Sequence, residues 1–230
     1  MKAQRLRVTF ARTDEMKYVT HLDMMRFWER ALRRAGLPVA YSEGFSPHPQ
    51  IAMAAPLAVG TTGDAELMDV FMSEAIPSRR VIDALAGQIP EGVIVRTVEE
   101  VGLTLPALQA DVRFAEYVID VPVSTETSVA DAIAAFLAAA TMPWEHKRED
   151  DVRTYDIRTQ VESIEIVDER DGLVSLRMLV KNDNSGSGRP EQIVAALGLP
   201  APSRIHRTRL VLAGTSPTRD ARRKHGRYAS

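Results

Sequence analysis

A chain of 230 residues that is 45% apolar and 26% charged, with a net charge of −2, has the make-up of a folded globular protein. Its length suits one large core or two units of roughly 100 to 150 residues. It contains no cysteine, which excludes disulfide frameworks, thiolate zinc sites, iron–sulfur ligation and cysteine nucleophiles. No stretch approaches the roughly 18 apolar residues that span a bilayer, and Met1-Lys-Ala-Gln-Arg5 has no apolar signal core. The expectation is a cytoplasmic protein without membrane contact.

In chain order, Arg5 to Phe10 alternates polar and apolar residues with the period of a half-buried strand. Thr20-His-Leu-Asp23 has the form of a capping box, and Leu22, Met25, Trp28, Leu32 and Ala35 recur at helical spacing until Gly36 and Pro38 stop the helix. Val39 to Tyr41 is extended, Ser42 to Pro49 is rich in turn residues, and Ile51 to Ala54 and Glu66 to Met72 read as strands. Ser78 to Ala86 reads as a helix capped by Ser78, and Val93 to Val101 as a strand. The order β-α-β-β-α-β over residues 1–103 is that of a ferredoxin-like unit with an antiparallel sheet.

After the connection 102–110, the pattern repeats over residues 111–213. A strand at Arg113 to Val121 precedes a helix at Ser128 to Ala140, and extended pieces lie at Trp144 to Lys147 and near Tyr155. Glu162 to Val167 and Leu173 to Val180 form an Asp-Gly hairpin. A helix at Glu191 to Leu197, entered through Pro190, leads to a strand at Ile205 to Leu212. The fold class is therefore α+β, as tandem ferredoxin-like units with extra extended segments in the second. Residues 214–230 read as a mobile basic tail.

Charge is unevenly spread. Arg204, Arg207, Arg209, Arg219, Arg222, Arg223, Lys224 and Arg227 crowd the end of the chain, while the middle is acidic. In the first helix Arg26, Arg30 and Arg34 stand four residues apart, with Arg33 beside them. Such a row repels itself by a few tenths of a kcal/mol per pair. Glu29 can pair with Arg26 and Arg33, which leaves Arg30 and Arg34 uncompensated. A phosphate backbone relieves that repulsion, and so do carboxylates elsewhere or simple solvation.

The densest local feature is Tyr41-Ser-Glu-Gly-Phe-Ser-Pro-His-Pro49. Pro47 and Pro49 restrict His48 to extended geometry, Gly44 permits a turn, and Phe45 offers a flat apolar face. Tyr41, Glu43, Phe45 and His48 join the four arginines as candidate binding residues; a well-made corner is the plainer reading. His21, Asp23, Glu43 and His48 have the right types for acid–base or metal chemistry but not the spacing, so no catalytic residue, metal or cofactor is expected. His146 and His206 read as surface or edge residues. No phosphate loop, dinucleotide fingerprint or nucleophile elbow occurs.

The string from His21-Leu-Asp23 through Arg26, Glu29 to Phe45, Pro47-His-Pro49 and Pro56-Leu-Ala-Val-Gly60 resembles the radical-SAM-linked protein family of unknown function, also found at the C-terminus of B12-binding radical SAM proteins. Asp156-Ile-Arg158, Arg189-Pro190 and Ile205-His-Arg-Thr208 extend the resemblance over nearly the whole chain. Ser46 departs from it where histidine is common, and Gln50 where a basic residue is. The resemblance implies an accessory protein linked to a radical SAM or ribonuclease E/G partner. Without a cysteine triad the chain is not a radical SAM enzyme by itself. Three functions follow: an RNA-associated accessory module engaging structured RNA, a protein-interaction adaptor, and a metal-independent endoribonuclease using a histidine such as His21. The last lacks the late glycine-rich loop of its analogues.

Overall fold

The computed structural model describes residues 1–124, 128–148, 151–183 and 186–215. The first half runs β1 (Gln4–Arg12), α1 (His21–Arg34), β2 (Ile51–Met53), β3 (Thr62–Met72), α2 (Ser78–Leu85) and β4 (Val93–Val101). A short α3 (Leu108–Asp111) leads to β5 (Val112–Pro122), α4 (Val129–Ala138), β6 (Pro143–Arg148), β7 (Asp151–Asp156), β8 (Val161–Arg170), β9 (Leu173–Asp183), β10 (Gly186–Ser187), α5 (Pro190–Ala196) and β11 (Arg204–Leu212).

Period-two alternation builds the sheet. Leu6, Val8 and Phe10 of β1 share a face with Val70, Met68 and Glu66 of β3, to which they pair directly. Onto that face α1 lays Met24, Phe27, Trp28, Ala31 and Leu32, spaced three and four apart along one stripe. Trp28 packs edge-on against Phe10 and tilted against Phe27, at 5.0 and 5.1 Å between ring centres. The Thr20 hydroxyl accepts from the Asp23 amide and caps α1. Ser78 does not cap α2; it is the first helical residue after Pro77, whose side chain offers no acceptor. The second half builds its own core from Ala115, Tyr117, Ile119, Leu176, Met178 and Phe136, with Ile193 and Val194 of α5.

The strand order is β2-β3-β1-β4 in the first half and β8-β9-β5-β11 in the second, with the β6–β7 hairpin standing apart as a separate two-stranded sheet. Numbering only these four strands of each half, both follow the order second, third, first, fourth, and all these neighbours are antiparallel. The halves do not close two separate antiparallel sheets. They join in one mixed nine-stranded sheet, because β11 pairs in parallel with β3 at His206↔Thr62 and Arg207↔Gly63. Glu66 lies opposite Phe10 of the first core and Arg207 opposite Tyr117 of the second, and the two side chains bond each other where the halves join. The β8–β9 turn places Asp171 and Gly172 at φ 50° and 76°, the conformation that an Asp-Gly hairpin signals.

The connection 102–110 holds one feature absent from its pattern, the single-turn α3, whose Leu108 is buried in the second core. At the outer edge, β4 bulges at Arg96 between the pairs Thr9↔Thr97 and Phe10↔Val95, which with its exposed charges blunts edge-to-edge association. The basic tail expected at 214–230 falls, beyond Thr215, outside the described residues.

Candidate anion-binding surface and the seam behind it

Arg26, Arg30, Arg33 and Arg34 all lie exposed on α1. Arg26 reaches back one turn to Asp23 at 3.5 Å, and Arg34 donates weakly to the Gln88 carbonyl at 3.4 Å. Arg30 and Arg33 have no hydrogen bond or ion pair among the described residues, and Glu29 pairs with neither Arg26 nor Arg33. The compensation that Glu29 could supply at helix spacing is therefore not made. Arg30 and Arg34 flank an open groove of about 470 Å³, floored by Phe27 and walled by Gly87, Gln88, Ile89 and Pro90.

The chain then turns at Gly36 (φ +63°) and is tied to the end of β3 by Ser73 N–H to the Pro38 carbonyl and Ala40 N–H to that of Phe71. From there Tyr41 to Pro49 forms a small hairpin. Tyr41 bridges Pro49, Ser42 N–H donates to the His48 carbonyl at 2.9 Å, and His48 N–H donates to the Ser42 hydroxyl at 3.1 Å. The His48 ring lies 3.1 Å from that hydroxyl and 3.3 Å from the Ser46 carbonyl, so it ties the hairpin together while remaining exposed to solvent. Phe45 is displayed as well: it is 110% exposed at the apex, beside Gly44 at φ +114°, with Tyr41 46% exposed on the stem. Glu43 is exposed on the same turn.

Behind α1 lies a buried charge network whose pairing the residue order does not announce. Arg207 of β11 is 1% exposed; its guanidinium grips both Glu66 oxygens and donates at 3.2 Å to the carbonyls of Ala55 and Pro56. Burial works against the Arg207 charge, but Glu66 and Tyr117 outweigh it and hold its pKa above the ordinary value. Tyr117 is raised, by burial foremost. Arg12 closes the loop before α1 by donating to the carbonyls of Met16, Lys17 and Val19 at 2.8, 2.8 and 2.6 Å. A signal did exist: Glu66 shares the parity of the core residues Met68, Val70 and Met72, so a charge in that phase needed a buried partner. Much of the string through Pro56–Gly60 is thus scaffold, since Gly60 N–H also donates to the Lys17 carbonyl at 2.7 Å.

His21, the first residue of α1, lines a cavity of about 10 Å³, the space of one water, with Arg12, Glu66, Phe10, Met24, Met53 and Leu57. Burial alone pushes the His21 imidazole below its ordinary pKa. His206 is no plain edge residue: its ring sits 2.7 Å from the Thr62 hydroxyl and 3.1 Å from Asp64, at the seam between the halves. His146 lies 2.8 Å from the Gln192 amide and 3.3 Å from Arg189, tying the β6–β7 hairpin to α5. Among the described residues no three histidine, aspartate or glutamate side chains cluster as metal ligands, and no helix is long and apolar enough to cross a membrane.

No curated protein matches the chain in sequence. Among solved structures it is similar to a chain of a Cbf5-Nop10-Gar1 complex, with TM-score 0.46 and 13% identity over 88% of this chain and 48% of that one. It is similar also to a chain of an H/ACA RNP bound to a substrate RNA containing 2'-deoxyuridine, with TM-score 0.42 and 15% identity over 88% and 47%. An unknown protein from Galdieria sulphuraria overlaps at TM-score 0.27 and 17% identity, over 91% and 99%. The chain thus spans about half the length of the first two structures it resembles. Residues 5–190 match the model of DUF2344, described as an uncharacterized protein conserved in bacteria, and the chain belongs to that family.

Proposed function

We propose that the protein is an RNA-associated accessory module whose contact surface is the arginine row of α1, with the groove beside it and the hairpin that follows. The observation that carries this reading is the state of Arg30 and Arg33: two guanidinium groups without a partner among the described residues, next to Arg34 at the rim of an open groove. A planar fork left unpaired on a like-charged row is suited to phosphate oxygens, which remove the repulsion and accept bidentate bonds. A radical SAM or ribonuclease E/G partner, implied by the resemblance of the His21–Gly60 string, belongs to the same proposal, with the cysteine-free chain binding and the partner supplying chemistry. In it we read each half as a ferredoxin-like unit, residues 1–103 and 111–213, on the strand order the halves share.

The test is the salt dependence of RNA binding. For the wild-type chain, log K falls linearly with log salt, and replacing Arg30 and Arg33 together by alanine reduces the slope by about 0.7 for each phosphate that is no longer neutralised. Binding with an unchanged slope in the double variant removes this surface from the reading, and no binding to host RNA at low salt removes the reading. Affinity purification from the host with and without nuclease shows whether a radical SAM protein or a ribonuclease accompanies it.

A further inference from the structure

We infer that the Tyr41–Pro49 hairpin is a stacking platform for an unpaired nucleobase, so that the RNA taken by this surface is single-stranded or looped, not duplex. This rests on the RNA reading of α1 and adds to it the part of the ligand that is recognised.

Exposure of a large aromatic ring is the first observation. Burying a phenylalanine is worth about 1.5 to 3 kcal/mol, yet Phe45 stands fully in solvent at the apex and gives the fold none of that. The loop beneath it is nevertheless organised. Ser42 and His48 exchange backbone and side-chain contacts, Tyr41 bridges Pro49, and the base is bonded to β3 through Phe71, whose amide donates to the Gln50 carbonyl and whose carbonyl accepts from Ala40. Ordering the loop that carries the ring lowers the cost of binding a flat partner.

Charge decides which flat partner it is. The hairpin follows the last turn of α1 after six residues, and at about 3.3 to 3.6 Å per extended residue Tyr41 lies at most roughly 25 Å and Phe45 at most roughly 40 Å from Arg34. A short single strand bridges that distance. One ligand then satisfies both features, with its phosphates on Arg30 and Arg33 and a base on Phe45, while Tyr41 offers a second ring on the stem. A duplex cannot use Phe45, because its bases are already stacked and the ring faces only its backbone. Stacking on aromatic rings is tolerant of sequence, so recognition here is of an unpaired state more than of a base identity.

The experiment uses the full chain and two probes: a single-stranded RNA of about ten nucleotides carrying one 2-aminopurine, and the same strand in a blunt duplex. Fluorescence anisotropy gives affinity and 2-aminopurine quenching reports stacking. The wild-type protein binds the single strand more tightly and quenches it. Phe45→Ala weakens single-strand binding by roughly 5- to 150-fold and abolishes quenching, Phe45→Trp retains both, and neither changes the melting temperature. Equal affinity for Phe45→Ala with no quenching by the wild type overturns the platform while the phosphate reading of α1 stands. Absence of binding to either probe at low salt overturns both. Loss of a co-purifying protein in Phe45→Ala with RNA binding intact assigns the ring to a protein pocket and also overturns the proposal.

Discussion

Two groups of arginines in this protein live under opposite rules. Arg207 and Arg5, 1% and 2% exposed, are saturated by carboxylates and carbonyls; Arg5 shares Asp69 with Arg7 and donates to the carbonyls of Leu105 and Pro106. On α1, Arg30 and Arg33 hold nothing among the described residues, although Glu29 stands within reach in sequence. Partners are furnished where a charge must leave water, since an unpaired buried ion is costly, and left out where water or a ligand can serve. The contrast separates charge that builds the sheet from charge available for binding.

Removing a buried partner produces the largest effect. Glu66→Ala leaves the buried Arg207 charge without its carboxylate at the seam and destabilises the chain by about 3 to 5 kcal/mol, measured by urea unfolding. Glu66→Leu combined with Arg207→Met recovers much of that loss, because no charge is left stranded. A single variant costing under about 1 kcal/mol would show that water reaches the pair and that the contrast between the two groups is false.

The seam also shows where the sequence stops being readable. The limits of α1 were legible because local chemistry sets them: a hydroxyl that caps at Thr20 and a left-handed glycine at position 36. Strand alternation likewise located β1. What joins the halves was not legible, because the two parallel pairs bring His206 and Arg207 to Thr62 and Gly63 across the whole second half. Nothing local encodes that meeting; only the parity of Glu66 among core residues hinted at it. The exposure of the arginine row and of Phe45 was legible, as was a turn between Ser42 and Pro49. The bonds that hold the exposed His48 ring to Ser42 and the Ser46 carbonyl were not, because the residue order does not reveal them.

Smaller effects sharpen the comparison. Thr20→Ala removes the α1 cap and costs about 1 kcal/mol, which shows how much the arginine row depends on its helix. Arg30→Ala with Arg33→Ala leaves stability within about 0.5 kcal/mol of wild type, while RNA affinity falls. Should the double variant unfold more easily than that, the two arginines serve the fold and the separation of roles is lost.

The smallest effect belongs to the residue between the two regions. His21 begins the exposed helix yet lines the cavity shared with Arg12 and Glu66, and burial depresses its pKa. The folded protein therefore binds this proton less readily than the unfolded chain. Its contribution is complete above the ordinary histidine pKa of about 6.5 and is lost as pH falls through it, levelling off below the folded value. His21→Gln should flatten the stability profile slightly between about pH 7 and pH 5, all other histidines being common to both proteins. A profile that steepens in the variant would mean that protonated His21 is favoured by the Glu66 carboxylate. That result would assign His21 to the buried charge network and not to the binding helix.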